Sequence, residues 1–378
     1  MISITDRPGL AASVRCWPSR VVTMISAMTI PVRTICLSLA GAGRKGQDGG
    51  HGCDAICSHQ NRGARMRVVH QFAPAMSAMI ASLPGVTSAE HIPLDQRWNL
   101  PTDADVLFVL HGEGDSRSHD EGLPRPAGWP GSVRLVQIAS AGIDDYPTWL
   151  FDAPQVATAS GTTARPIAEY ALAVMLNHAK RLPTITLNAG DEWPTREMQM
   201  DKPLASLEGR TLGLLGLGQI ARQVARFAAA FDMTIIATRA SDAPSPDPNV
   251  TLVPLPELVA RADHLVIAAP IGASTRGLLG ADLLGRMKPD AHIVNVARGA
   301  IIDTDALRAQ FDAGRLWASL DVTDPEPLPP GHWLFAHPRA RITPHLSWSS
   351  SETMRRVFER LAENIRRLQA GEPLLGAV

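Results

Sequence analysis

Residues 212–221 read Leu-Gly-Leu-Leu-Gly-Leu-Gly-Gln-Ile-Ala, and no other stretch of the chain restricts its fold as much. The apolar run 211–215 has the composition of a buried strand, and 222–231 has the spacing of an amphipathic helix. Gly216, Gly218 and Ala221 therefore fall at the G-x-G-x-x-G/A spacing between a strand and a helix. Gly216 permits the sharp turn, Gly218 lets a pyrophosphate approach the backbone, and the small Ala221 lets helix and strand pack closely. Phosphates would then lie on the helix N-terminus beside Gln219 and Ile220, where unpaired N–H groups and the helix dipole favour negative charge. Glycines alone also mark ordinary turns, so it is the flanking strand and helix that make this a dinucleotide-binding turn.

The surrounding pattern extends the same architecture. From residue 66 the periodicity predicts a strand at 67–71, a helix at 73–83 and strands at 105–110 and 135–139. After the glycine turn it predicts strands at 234–238, 264–268, 292–296, 317–322 and 341–343, with helices at 255–262, 281–287 and 304–313 between most of them. Strands alternating with helices predict a doubly wound parallel α/β sheet. Residues 167–176 are apolar almost all round, as expected of a helix buried between layers and joining two domains. The last helix, 350–368, carries Met354, Val357, Phe358, Leu361 and Ile365 on one face.

Charge excludes some partners. With 36 basic and 37 acidic residues the formal net charge is -1, so no global field recruits nucleic acid or an anionic membrane, and a small molecule is the expected partner. Cys16, Cys36, Cys53 and Cys57 all precede residue 58, so the rest of the chain has neither a disulfide nor a cysteine nucleophile. Residues 1–65 hold seven arginines and one lysine against three aspartates and lack helix or strand periodicity. They read as a transit peptide by composition, as a signal sequence at 21–32 followed by Ala40-Gly-Ala, or as a disordered extension with Met66 the functional start. The last is the expectation, with a cytoplasmic location. Cys53, Cys57 and His59 make a poor zinc pattern, and no metal is expected.

In open α/β sheets ligands gather beyond the carboxyl ends of the strands, where three ionisable residues fall here: Arg298, Glu326 and His345. They are what reduction of a 2-oxo acid requires. A guanidinium fork can bind carboxylate and carbonyl together, an imidazolium can protonate the oxygen that becomes the hydroxyl, and a carboxylate keeps the imidazole oriented and charged. Glu326 competes with Asp321 and Asp324 for that last role.

With these residues placed, 66–378 resembles the D-isomer-specific 2-hydroxyacid dehydrogenase family. The matching stretches are Ser-Ala-Gly-Ile-Asp at 140–144, Ala168-Glu169, the glycine turn, Pro270 with Thr275-Arg276, Met-Lys-Pro at 287–289, Asn-Val-Ala-Arg-Gly at 295–299, Leu-Asp-Val at 320–322, Glu-Pro-Leu at 326–328 and Thr-Pro-His at 343–345. The resemblance implies that Arg298 binds and polarises the substrate, that His345 is the acid/base, and that Glu326 is its partner. It implies that Ala141 and Gly142 offer backbone N–H groups to the substrate carboxylate. Asp321 would lie near the nicotinamide carboxamide, and Pro270, Thr275 and Ala297 would line the cofactor site. It also implies two Rossmann-like domains, a discontinuous substrate domain (66–165 and 346–378) and a dinucleotide domain (166–345), in a homodimer.

The departures are informative. Where NAD-dependent members carry an acid for the ribose 2'-hydroxyl, this chain has Arg239, whose guanidinium would pair with a 2'-phosphate, so NADP is expected over NAD. The Asn that many members carry near Ala159-Ser160-Gly161 is absent, and with 33 residues after His345 the regulatory domain of some phosphoglycerate dehydrogenases is not expected. A formate dehydrogenase would carry Gln at position 326, and Glu326 argues against it; a non-catalytic, nucleotide-sensing regulator is the other alternative. Trp348 lies close to His345 in sequence and either shapes the pocket or packs in a core or interface.

Overall fold

The computed structural model describes residues 65–110, 123–144, 146–182, 190, 193–201, 203–241 and 243–378. The expectations for the extension, its cysteines and His59 lie outside these residues.

Two all-parallel sheets account for the strands. The first is built from β1 (Met66–His70), β2 (Val86–His91), β3 (Val106–Val109), β4 (Leu135–Ile138) and β5 (Val156–Ala157), in the order β2-β1-β3-β4-β5. The second contains β6 (Thr211–Leu215), β7 (Thr234–Thr238), β8 (Val250–Leu252), β9 (His264–Ile267), β10 (His292–Asn295), β11 (Trp317–Leu320) and β12 (Ala340–Ile342), in the order β12-β11-β10-β9-β6-β7-β8. In the second, the order reverses between β6 and β9, which is where a doubly wound sheet opens a crevice for a ligand. Central strands β3, β4, β9 and β10 are buried throughout, because helices cover both faces of a parallel sheet and leave no solvated side.

Strand order also explains what the periodicity missed. β2, β5 and β8 are all edge strands, short or half exposed, so they lack the apolar run that marks a buried strand. The helix expected at 73–83 is a 3-10 turn at Pro74–Met76 followed by α1 (Ser77–Ala81).

Two helices tie the chain together. The buried helix expected at 167–176 is α2 (Ala164–Lys180), whose Ile167, Ala168, Ala171, Val174 and Met175 pack in one core with Leu212, Leu214 and Val294 of the second sheet. The last helix, α8 (Thr353–Ala370), returns to the first sheet, where Val357, Phe358, Leu361 and Ile365 pack against Met66, Val68, Val106 and Phe108. Asn364 Nδ2 donates to buried Gln137 Oε1 of β4 at 2.7 Å, and Thr158 N donates to Gly376 O at 2.8 Å. These polar contacts lock the returning segment to the first sheet, since a buried amide left unpaired would cost about 1–3 kcal/mol.

Candidate active site

β10, β11 and β12 are neighbours, so the loops leaving their carboxyl ends are neighbours too. Arg298 stands three positions past Asn295 of β10, Glu326 follows β11, and His345 stands three past Ile342 of β12. Buried Asn295 shapes the first loop, donating from Nδ2 to Arg298 O at 2.9 Å and accepting at Oδ1 from Ala297 N at 3.1 Å. Gly299 lets that loop press on the next: a Cβ there would lie 2.0 Å from Thr323 C, a clash no side-chain shift could relieve.

The imidazole and carboxylate meet. His345 Nδ1 and Glu326 Oε1 are 2.7 Å apart, and Glu326 Oε2 accepts from Thr323 N at 3.3 Å. Donation from Nδ1 to the carboxylate leaves Nε2 as the nitrogen open to a substrate oxygen. Of the three candidate acids, Glu326 makes this contact. Asp321 instead fixes the loop that carries the histidine. Its buried carboxylate accepts from Thr343 Oγ1 (2.6 Å) and Leu346 N (2.9 Å) at Oδ1, and from Ser347 N (2.9 Å) at Oδ2, while its own carbonyl accepts from His345 N at 2.9 Å. His345 sits at a φ of +48°, a conformation that needs such support in a residue other than glycine. Behind it, Tyr170 OH pairs with Thr343 Oγ1 at 2.6 Å, and burial holds the phenol above its ordinary pKa. Trp348 Nε1 donates to His345 O at 2.8 Å with its ring partly exposed, so it flanks the histidine and is not a core residue.

Arg298 reaches the loop after β4. Its Nε donates to Asp144 Oδ2 at 2.9 Å, its Nη2 forms an ion pair with the same oxygen at 2.7 Å, and its Nη1 donates to Ala297 O at 2.8 Å. The Ala141-Gly142 segment lies in the same place: a Cβ on Gly142 would fall 1.8 Å from Arg298 Nη2. Sequence reasoning included Asp144 in a matching stretch but gave it no role.

The glycine turn fits a dinucleotide. Gly216 has a φ of +91°, and a Cβ there would stand 2.9 Å from the Ala269 backbone, so glycine is required twice over. Gly218 is different: a Cβ there would meet nothing within 4 Å, so its smallness leaves space that no protein atom fills. It is the N-cap of α4 (Gln219–Ala229) and offers no side-chain cap to the first turn, whose N–H groups suit an anion. Arg239 follows β7 directly, beside Thr238, whose carbonyl accepts from Gly216 N at 2.9 Å. Its Nη1 donates to Pro244 O at 3.4 Å, and no ion pair engages it among the described residues. Thr275 Oγ1 donates to Pro270 O at 2.8 Å, closing the loop after β9 next to the turn.

A cavity of about 660 Å³ opens elsewhere, among the starts of α2 and α4 and the face of α8, lined by Arg165, Gln219, Arg222, Arg356 and Arg360 among others. It shares Gln219 with the glycine turn, but Arg298, Glu326 and His345 do not line it, so the chemistry is located by its residues and not by this cavity. Among the described residues no cluster of His, Cys, Asp or Glu could hold a metal, and no helix is long and apolar enough to cross a membrane.

Comparison with known proteins points to one family. The family model described as D-isomer specific 2-hydroxyacid dehydrogenase, NAD binding domain, matches residues 172–347. A hydroxypyruvate reductase of Thermotoga maritima is 30% identical over 285 residues, covering 74% of this chain and 89% of that protein. Among solved structures, a glyoxylate reductase from Paecilomyes thermophila is 26% identical with a TM-score of 0.68, covering 83% of this chain and 98% of the other. A D-isomer specific 2-hydroxyacid dehydrogenase from Xanthobacter autotrophicus Py2, in complex with NADPH and MES, is 26% identical with a TM-score of 0.65 over the same shares. Two parallel sheets, a glycine turn fitted to a nicotinamide dinucleotide, and relatives of this identity and coverage place the chain in the D-isomer-specific 2-hydroxyacid dehydrogenase family of oxidoreductases.

Proposed function

We propose that the chain interconverts a 2-oxo acid and a D-2-hydroxy acid, with NADP preferred over NAD and His345 as the acid/base. The observation that carries this reading is the 2.7 Å contact of His345 Nδ1 with Glu326, on a loop beside Arg298. In the reductive direction the Arg298 guanidinium holds the substrate carboxylate and polarises its carbonyl, with the N–H groups of Ala141 and Gly142 as further donors. Gly216, Gly218, Gln219 and Ile220, with Pro270, Thr275 and Ala297 beside them, would hold the dinucleotide, whose chemistry there would be hydride donation to the carbonyl carbon. His345 gives the Nε2 proton to the oxygen, which becomes the hydroxyl, and Glu326 stabilises the ring in its charged form. Oxidation runs the same transfers backwards from the neutral ring.

Arg239 supports NADP, since it stands beside the glycine turn without a carboxylate partner among the described residues. The complex with NADPH named above supports it as well. The same reading divides the chain into a substrate domain of 66–165 and 346–378, a dinucleotide domain of 166–345, and the extension 1–65. It makes the protein a cytoplasmic homodimer, on family resemblance alone.

The test is a panel of 2-oxo acids, glyoxylate and hydroxypyruvate included, assayed with NADPH and with NADH. Turnover with a D-hydroxy product is expected. Binding of NADPH without turnover of any member would leave a nucleotide-sensing protein in place of an enzyme.

A further inference from the structure

We infer that Asp144 is a placeholder for the substrate carboxylate, occupying the edge of Arg298 that the substrate must take and thereby setting how tightly 2-oxo acids bind. This rests on the reading that Arg298 binds substrate. A guanidinium has five N–H donors, and its Nε/Nη2 edge matches a carboxylate. In this structure that edge faces one oxygen, Asp144 Oδ2, with Nε donating at 2.9 Å and Nη2 ion-paired at 2.7 Å, while Nη1 donates to Ala297 O.

The backbone that should share the substrate is covered as well. Arg298 Nη2 lies where a Cβ of Gly142 would be, so the guanidinium rests directly on the Ala141-Gly142 segment. Any side chain at position 142 would push it off. Asp144 follows β4 of the first sheet and Arg298 follows β10 of the second, so the pair ties the two sheets together across the site.

An incoming carboxylate can replace Asp144 on that edge one for one, so Arg298 never loses a charged acceptor. Asp144 is displaced as an anion into water. Both side chains are about one-third exposed, at 32% and 37%, which keeps the pair weak enough to exchange. Affinity for any carboxylate is thereby lowered by the strength of the pair, so weak monocarboxylates compete poorly. Asp144 is therefore a positioning residue that acts through Arg298.

Asp144→Asn keeps the shape and removes the charge. The expected result is a KM for glyoxylate lower by roughly three- to tenfold, with kcat changing less than KM. The Kd of oxamate, an unreactive 2-oxo acid analogue, should fall by the same factor in calorimetry on the NADPH-loaded protein. A merely structural Asp144 predicts the reverse, with KM and oxamate Kd rising and kcat falling. Either that result or unchanged values in a folded variant would overturn the placeholder. Asp144→Ala, which removes the competing group entirely, should shift oxamate affinity in the same direction. If the wild-type protein turns over no 2-oxo acid, the proposed function fails by itself, and oxamate calorimetry still decides Asp144; binding to neither protein overturns it.

Discussion

Acid should destabilise this protein in a window set by buried histidines. His264 opens β9 and His292 opens β10, at the ends opposite the active site, with their Nδ1 atoms 3.2 Å apart. One of the two must carry the Nδ1 proton and the other accept it, so at least one of the rings is neutral. His292 Nε2 lies 3.0 Å from Ser319 Oγ, and His178 of α2 stacks on His292 at 4.3 Å. Burial first, and then neighbouring His178, Asp263 and Arg210, set the His264 pKa at about 4. His292 is pushed well below its ordinary value by burial, with His178, His264 and Arg341 adding to the shift. In the first sheet, burial and then His91 bring His70 to about 4.

A histidine whose folded pKa is depressed binds fewer protons when folded than when unfolded, so stability is present above the unfolded value and is lost as the pH falls through the window below it. For a group moving from 6.5 to about 4, the loss between about pH 7.5 and about pH 5 is roughly 2 kcal/mol. His70 and His264 together therefore predict a loss of about 4 kcal/mol, with His292 adding to it, a large share of the roughly 5–15 kcal/mol typical of a folded domain. Depressed carboxylates such as Asp263 and Glu363 act later, below ordinary values of 3.8 and 4.5, so the window isolates the histidines. Urea unfolding across this range, followed by tryptophan fluorescence, measures the loss. In His70→Leu the loss should shrink by about 2 kcal/mol, whatever the substitution does at neutral pH. Stability that is flat down to about pH 5, or that falls only below about pH 4.5, would refute the argument.

Four further substitutions have defined expected outcomes. Arg239→Asp should weaken NADPH by roughly 1.5–3 kcal/mol and move the preference toward NADH; a wild-type kcat/KM higher with NADH would contradict it. His345→Gln should lower kcat by roughly 10² to 10⁴ in both directions, whereas Glu326→Gln should slow reduction by about tenfold and oxidation less, because only reduction starts from the charged ring. Equal losses in both directions for Glu326→Gln would remove the carboxylate from that role. Leu361→Ala on α8, fully buried against the first sheet, should cost about 2–5 kcal/mol of stability in urea unfolding, and a loss under 1 kcal/mol would show that this helix does not complete the core.

The sequence by itself determined the parts that a local rule governs. The glycine turn, the central strands and the three strand-end residues were legible because a buried parallel strand must be apolar along its length, and because a turn that cradles phosphate needs glycine at fixed spacings. Edge strands β2, β5 and β8 obey no such rule, being short or half solvated, and only their pairing with neighbours defines them. Which acid serves His345 was open among three, since sequence distance does not say which carboxylate a loop turns inward. Packing decided it, with Asp321 buried under the loop it pins and Glu326 left facing the ring. Asp144 and Arg298, 154 positions apart, meet only because a loop from each sheet reaches the same site. Partners drawn from separate sheets leave no local pattern, so contacts of this kind become visible in the tertiary structure alone.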